Sequence, residues 1–116
     1  MIIPPGPLKV MVATKPVDFR KGAISLAALV EHELGLKPFS GVVFIFRSKQ
    51  ANRIKLLVWD GTGLVLVSKV LQTGVFHWPR AHDGVMRLSA SQASALFEGL
   101  QWSMHTPRTQ VPVTTR

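Results

Sequence analysis

Arg47, Lys49, Arg53 and Lys55 crowd the join between two apolar runs in VVFIFRSKQANRIKLLVW, and Lys69 follows on the next run. Guanidinium and ammonium groups gathered at a turn neutralise phosphates and release counterions, and do little to suggest bond-making chemistry. Arg20 and Lys21, within PVDFRKG, supply a second cationic pair. Gln50 and Asn52 carry the donor and acceptor groups that read adenine edges, but many turn residues share that chemistry. A basic stripe crossing a hairpin, with Lys69 beside it, would grip a polyanion such as DNA or RNA without reading its sequence.

Bond-making chemistry has weaker support. Asp18, Asp60, Asp83 and Glu98 have the side chains of a carboxylate metal site for phosphoryl transfer. Each is better explained locally: Asp18 as a helix cap, Asp60 as a turn residue, Asp83 in an Asp-Gly loop, Glu98 at a helix end. His32, His77, His82 and His105 stand singly, without metal-ligand spacing. The serines lack a nucleophile-elbow context and the glycines match no phosphate loop. The sequence has no cysteine, which excludes disulfides and thiolate zinc. The expectation is a protein with no catalytic residue, no metal and no cofactor.

The totals agree with a polyanion partner. Fourteen basic residues against six acids give a formal charge of +8, and the pI is near 11.0. The 116 residues suffice for one domain with one core. A hydrophobic share of 47% and mean hydropathy of +0.24 exclude a disordered chain. No sustained basic amphipathic helix suggests a membrane surface, and no apolar run approaches the roughly 20 residues of a spanning helix. MIIPPGP does not read as a signal peptide, so a cytoplasmic location is expected.

The elements that must position these residues can be read in order. Residues 1–7 form an extended, proline-stiffened arm, residues 8–102 a single domain, and residues 103–116 a flexible polar tail. Leu8 to Thr14 is a first strand. Asp18 would cap a helix from about Phe19 to Leu34, with Gly35 stopping it and Leu36 folding back on Val30. Its core face would carry Ile24, Ala27, Ala28, Leu29 and Leu34. Arg20 and Lys21 would then sit in the first turn, where cations are unfavourable and a bound anion would compensate. Gly22 would add a helix-interior penalty of up to about 1 kcal/mol.

Gly41 to Phe46 is apolar on both faces and hence central. Arg53 to Trp59 alternates at its start, Asp60-Gly61-Thr62-Gly63 is a hairpin turn, and Leu64 to Leu71 returns. Val75 to Pro79 reads as a further strand segment; Phe76, His77 and Trp78 in it suggest a protein-binding surface, whereas Trp59 reads as core. Val85 to Leu88 is a short strand. Ser89 and Gln92 form a capping box for a helix to about Glu98, with Ala93, Leu96, Phe97 and Leu100 as its apolar side. The class is α+β: a mainly antiparallel sheet, a meander of about four to six strands, with one helix after the first strand and one near the C-terminus.

The succession PVDFRKG, LAALVEHELGLKPFSGVVFIFRSKQANRIKLLVWDGTGLVLVSKVLQTGVFHWP and LSASQASALFEGLQW resembles the TnpB accessory proteins of the insertion-sequence family numbered sixty-six. These are unrelated to the RNA-guided nuclease of the same name. The resemblance spans about residues 8–102 and rests on Asp18, Arg20, Lys21, Gly22, Phe44, Phe46, Arg47, Arg53, Lys55, Trp59, Asp60 and Gly61. It implies an auxiliary role in moving a DNA element, beside a larger transposase that supplies catalysis and a small sister protein. Two roles fit: gripping the DNA of the element ends, or serving as a protein–protein adaptor with little DNA affinity.

Overall fold

The computed structural model describes residues 9–80 and 84–100. The proposed arm, the tail and Asp83 therefore lie outside the described residues. Five strands form one sheet in the order β4-β3-β2-β1-β5. They are β1 (Val10–Ala13), β2 (Val43–Arg47), β3 (Arg53–Trp59), β4 (Leu64–Val70) and β5 (Val85–Leu88), with helices α1 (Ala23–His32) and α2 (Ala90–Phe97). The β1–β2 pair is parallel and is bridged by α1; every other pairing is antiparallel. This is the expected α+β class, with β1 and β5 paired although they stand at opposite ends of the sequence.

β2 is central because both its faces are apolar. Val43 and Ile45 point to the face covered by α2, where Val10, Val12, Ile54, Val58 and Leu96 are buried. Phe44 and Phe46 point to the other face, against Leu26, Ala27 and Val30 of α1. Alternation on β3 carries the same partition: Ile54 and Val58 lie on the α2 side, Leu57 on the α1 side. Each face thus needs its own helix to exclude water.

The first helix is shorter than its sequence suggests. α1 begins at Ala23, with Gly22 as an N-cap in extended backbone and no side-chain cap. Asp18 caps nothing; its carboxylate accepts from the backbone N–H of Arg20 instead. Arg20 and Lys21 consequently lie in a loop, and the anticipated first-turn clash with the helix dipole does not arise. The buried stripe is Leu26, Ala27 and Val30, and Ile24 is 77% exposed. Ala27, Leu29 and Leu34 face this core as expected, whereas Ile24 and Ala28 are exposed and Leu26 and Val30 complete the stripe. The helix end follows expectation: Gly35 has φ +68°, and Leu36 N–H donates to Val30 O at 3.0 Å.

The β3–β4 turn closes through Asp60 N–H to Gly63 O at 3.1 Å, with Gly61 at φ +105°. Ser89 and Gln92 form the reciprocal capping box of α2. Residues 75–80, by contrast, form no strand. Phe76 is 2% exposed and plugs the α2-side core, and its N–H donates to Ala51 O at 2.7 Å. Leu100 is exposed, not packed with α2.

Candidate nucleic-acid interface

PVDFRKG docks against the β2–β3 hairpin. Lys55 lies on the α1 side of β3, and its Nζ donates to Phe19 O at 2.8 Å and Lys21 O at 2.9 Å. The same ammonium stands 4.5 Å from the centroid of the Phe19 ring, a cation–π contact. Val17 N–H donates to Arg47 O at 3.0 Å, completing the tie. Residues some 34 positions apart in sequence therefore share one end of the sheet.

At that end Arg20, Lys49 and Arg53 are exposed and Lys21 is partly so. Arg53 and Lys55 share the α1 side, because side chains two apart on a strand point the same way. Arg20 forms a fork with Asp18: Nη2 to Oδ2 is 2.7 Å, and Nε donates to both carboxylate oxygens. The hydrogen bonds from the Arg20 side chain and backbone hold the Asp18 carboxyl far below the usual carboxylate range, and Asp18 raises Arg20 in return. Asp18 is the one acid within this loop, so it offsets part of the loop's charge.

Three of the sequence-selected cations are engaged inside the protein. Lys55 is the staple just described. Arg47 turns back on its own hairpin, Nη1 donating to Lys49 O at 3.2 Å, and its Nε is buried without a hydrogen-bond partner among the described residues. Lys69 is directly opposite Ile54 and so faces α2, on the other side of the sheet from Lys55. Its Nζ donates to Phe97 O at 2.9 Å, placing a cation on the C-terminal carbonyls of α2. A single stripe joining Lys55 to Lys69 does not exist, because a one-residue offset in register sends the two to opposite faces.

The aromatic surface also changes. Phe76 is core, and Trp78 is partly buried with its Nε1 donating to Ala13 O at 2.8 Å. Of the three, only His77 is exposed. Trp59 is half-buried, not core, and meets Phe39 edge to face with ring centroids 5.4 Å apart. Asp60 is a turn residue as expected, its Oδ1 accepting from Thr62 and Gly63, and these donors lower its pKa.

Among the described residues no three histidines, aspartates or glutamates cluster to hold a metal ion, and no helix is long and apolar enough to cross a membrane. Sequence reasoning missed Lys9, Lys37 and Arg87, which line one cleft. Each is isolated in the sequence, so only the sheet register, pairing Met11 with Arg87, could have revealed them.

A small basic α+β protein, a five-stranded mostly antiparallel mixed sheet with a helix on each face, is the class these features define. The profile of the family described as "IS66 Orf2 like protein" matches residues 8–107, and the chain belongs to this transposition-associated family. It is 43% identical over 103 residues to "Uncharacterized protein y4jC" of Sinorhizobium fredii, covering 89% of this chain and 88% of that one. It is 38% identical over 95 residues to "Uncharacterized protein y4hO" of the same organism, covering 82% and 83%. No solved structure matches the chain.

Proposed function

We propose that this protein is a non-catalytic accessory of DNA transposition that grips the phosphates of the element's ends with the loop–hairpin end of its sheet. The observation that carries this reading is the Lys55 staple. By bonding Phe19 O and Lys21 O, it ties the backbone that carries Arg20 and Lys21 to the strand that carries Arg53. Phosphate contacts of this kind position a protein on a duplex and leave sequence choice to a partner. The larger transposase and the sister protein of the same element are the partners this role needs. A non-catalytic role fits the acids, since Asp18 serves Arg20 and Asp60 serves its turn.

The test is an anisotropy titration against terminal duplex DNA of the element at several salt concentrations. Arg20, Lys21, Lys49 and Arg53 acting together predict a slope of about −3 to −4 in log K against log salt. Absence of binding at low salt, or binding indifferent to salt, removes the proposal.

An adaptor role is the second reading. An apolar trough of about 350 Å³ runs between α2 and the sheet, with Leu56, Val67 and Phe97 in its wall. Co-purification with the transposase that survives high salt, from a protein that does not shift DNA, would favour it.

A further inference from the structure

At the end of the sheet opposite the β2–β3 turn, Lys9, Lys37 and Arg87 line one cleft of about 340 Å³ floored by Met11, Leu36 and Phe44. The three cations come from three places. Lys9 precedes β1, Lys37 follows α1, and Arg87 is on β5 directly opposite Met11. All three are exposed, and no acid lines the cleft. Glu31 and Phe39 line an adjoining hollow that shares Leu36, Lys37 and Ser40 with the cleft.

An aromatic pair stands at the same edge. The register that sets Phe44 opposite Leu57 continues to bring Trp59 beside Val42, another wall of the cleft. Trp59 packs edge-on against Phe39, two residues from Lys37, and Phe39 is 57% exposed. The segment holding Lys37 and Phe39 is braced: Ser40 Oγ donates to Lys37 O at 2.6 Å, and Pro38 is buried. Asp60, next along from Trp59, directs its Oδ1 into its own turn.

We infer that this cleft and the Phe39–Trp59 pair form a single-stranded-DNA site, separate from the loop–hairpin end. Lys9, Lys37 and Arg87 hold phosphate, and the exposed Phe39 ring takes a base. Cations that track a backbone and an exposed ring beside them are the two parts of single-strand recognition. Duplex DNA supplies the phosphates but keeps its bases stacked, so the rings distinguish the two forms. The inference does not depend on the loop–hairpin reading, since no residue is shared.

The test uses the full chain and a fluorescent oligo-dT, with anisotropy read at several salt concentrations. K37Q and R87Q are expected to weaken single-strand binding and to flatten the salt slope by about 0.7 for each cation removed. F39A is expected to cost about tenfold in affinity, and the bound strand should quench tryptophan fluorescence in the native protein but not in W59F. Circular dichroism should show each variant folded. Duplex binding should be unchanged in these variants, while R53Q should weaken it and spare the single strand. Undiminished oligo-dT binding by folded K37Q and R87Q overturns the inference. So does a site that inorganic phosphate saturates with no contribution from Phe39. Loss of both DNA forms in R53Q alone would also overturn it, leaving the loop–hairpin reading in place.

Discussion

Lys55 Nζ donates to the backbone carbonyl of Lys21 at 2.9 Å, so two residues of like charge are joined through main chain, not separated by repulsion. The bond makes Lys55 a structural cation and leaves the side chain of Lys21 for other work. It also divides the basic residues of this protein into those that hold the fold and those that face outward.

Replacing Lys55 by methionine should therefore cost stability. The variant K55M loses two charge-assisted hydrogen bonds and the Phe19 contact, and orphans two carbonyls. A loss of about 2 kcal/mol is expected in urea unfolding. Stability equal to the native protein would show that the staple is dispensable.

Lys69 should behave as a helix cap. In K69M the C-terminal carbonyls of α2 lose their cation, costing about 1 kcal/mol and speeding amide exchange in the Ala90–Phe97 helix. The salt slope of DNA binding should stay where it was. A flattened slope would place Lys69 among the phosphate contacts.

Asp18 sets an acid-dependent feature. Its folded pKa is depressed, first by the side-chain bond from Arg20, so its stabilising contribution is present above the unfolded value, about 4, and is lost as pH falls through the folded value. The Arg20 Nε–H resonance should hold its position from neutral pH through the ordinary carboxylate range and move only in stronger acid. In D18N it should not respond at all. A native transition centred near the ordinary value would mean that the fork is not kept in solution.

Ser89 tests the second helix alone. S89A removes the acceptor for Gln92 N–H at 3.1 Å and should destabilise the protein by about 1 kcal/mol in a denaturant melt. Duplex affinity should be unaffected, since the cap follows the Leu88–Val10 pair at the end of the sheet away from the β2–β3 turn.

Local signals carried well from sequence to structure. The Asp60–Gly63 turn, the Gly35 stop with Leu36 returning to Val30, and the Ser89–Gln92 box each depend on residues a few positions apart. Such features need only their own turn of chain. The doubly apolar β2 was central for a comparably simple reason: a strand with no polar face has to be covered on both. The start of α1 failed because an acidic residue four positions early looked like a cap, while the loop used it to hold Arg20.

By itself the sequence determined the order of the five strands and two helices, the charge excess and the turns, because these follow from neighbouring residues and their periodicity; it did not foresee that Val75 to Pro79 forms no strand. Which cations share a surface was decided by tertiary structure alone. Register sent Lys55 and Lys69 to opposite faces, put Phe76 in the core, and brought Arg87 opposite Met11 near Lys9. A strand alternates its side chains with period two, so a pairing offset of one residue moves a group through the whole thickness of the sheet. Only the paired strands specify that offset.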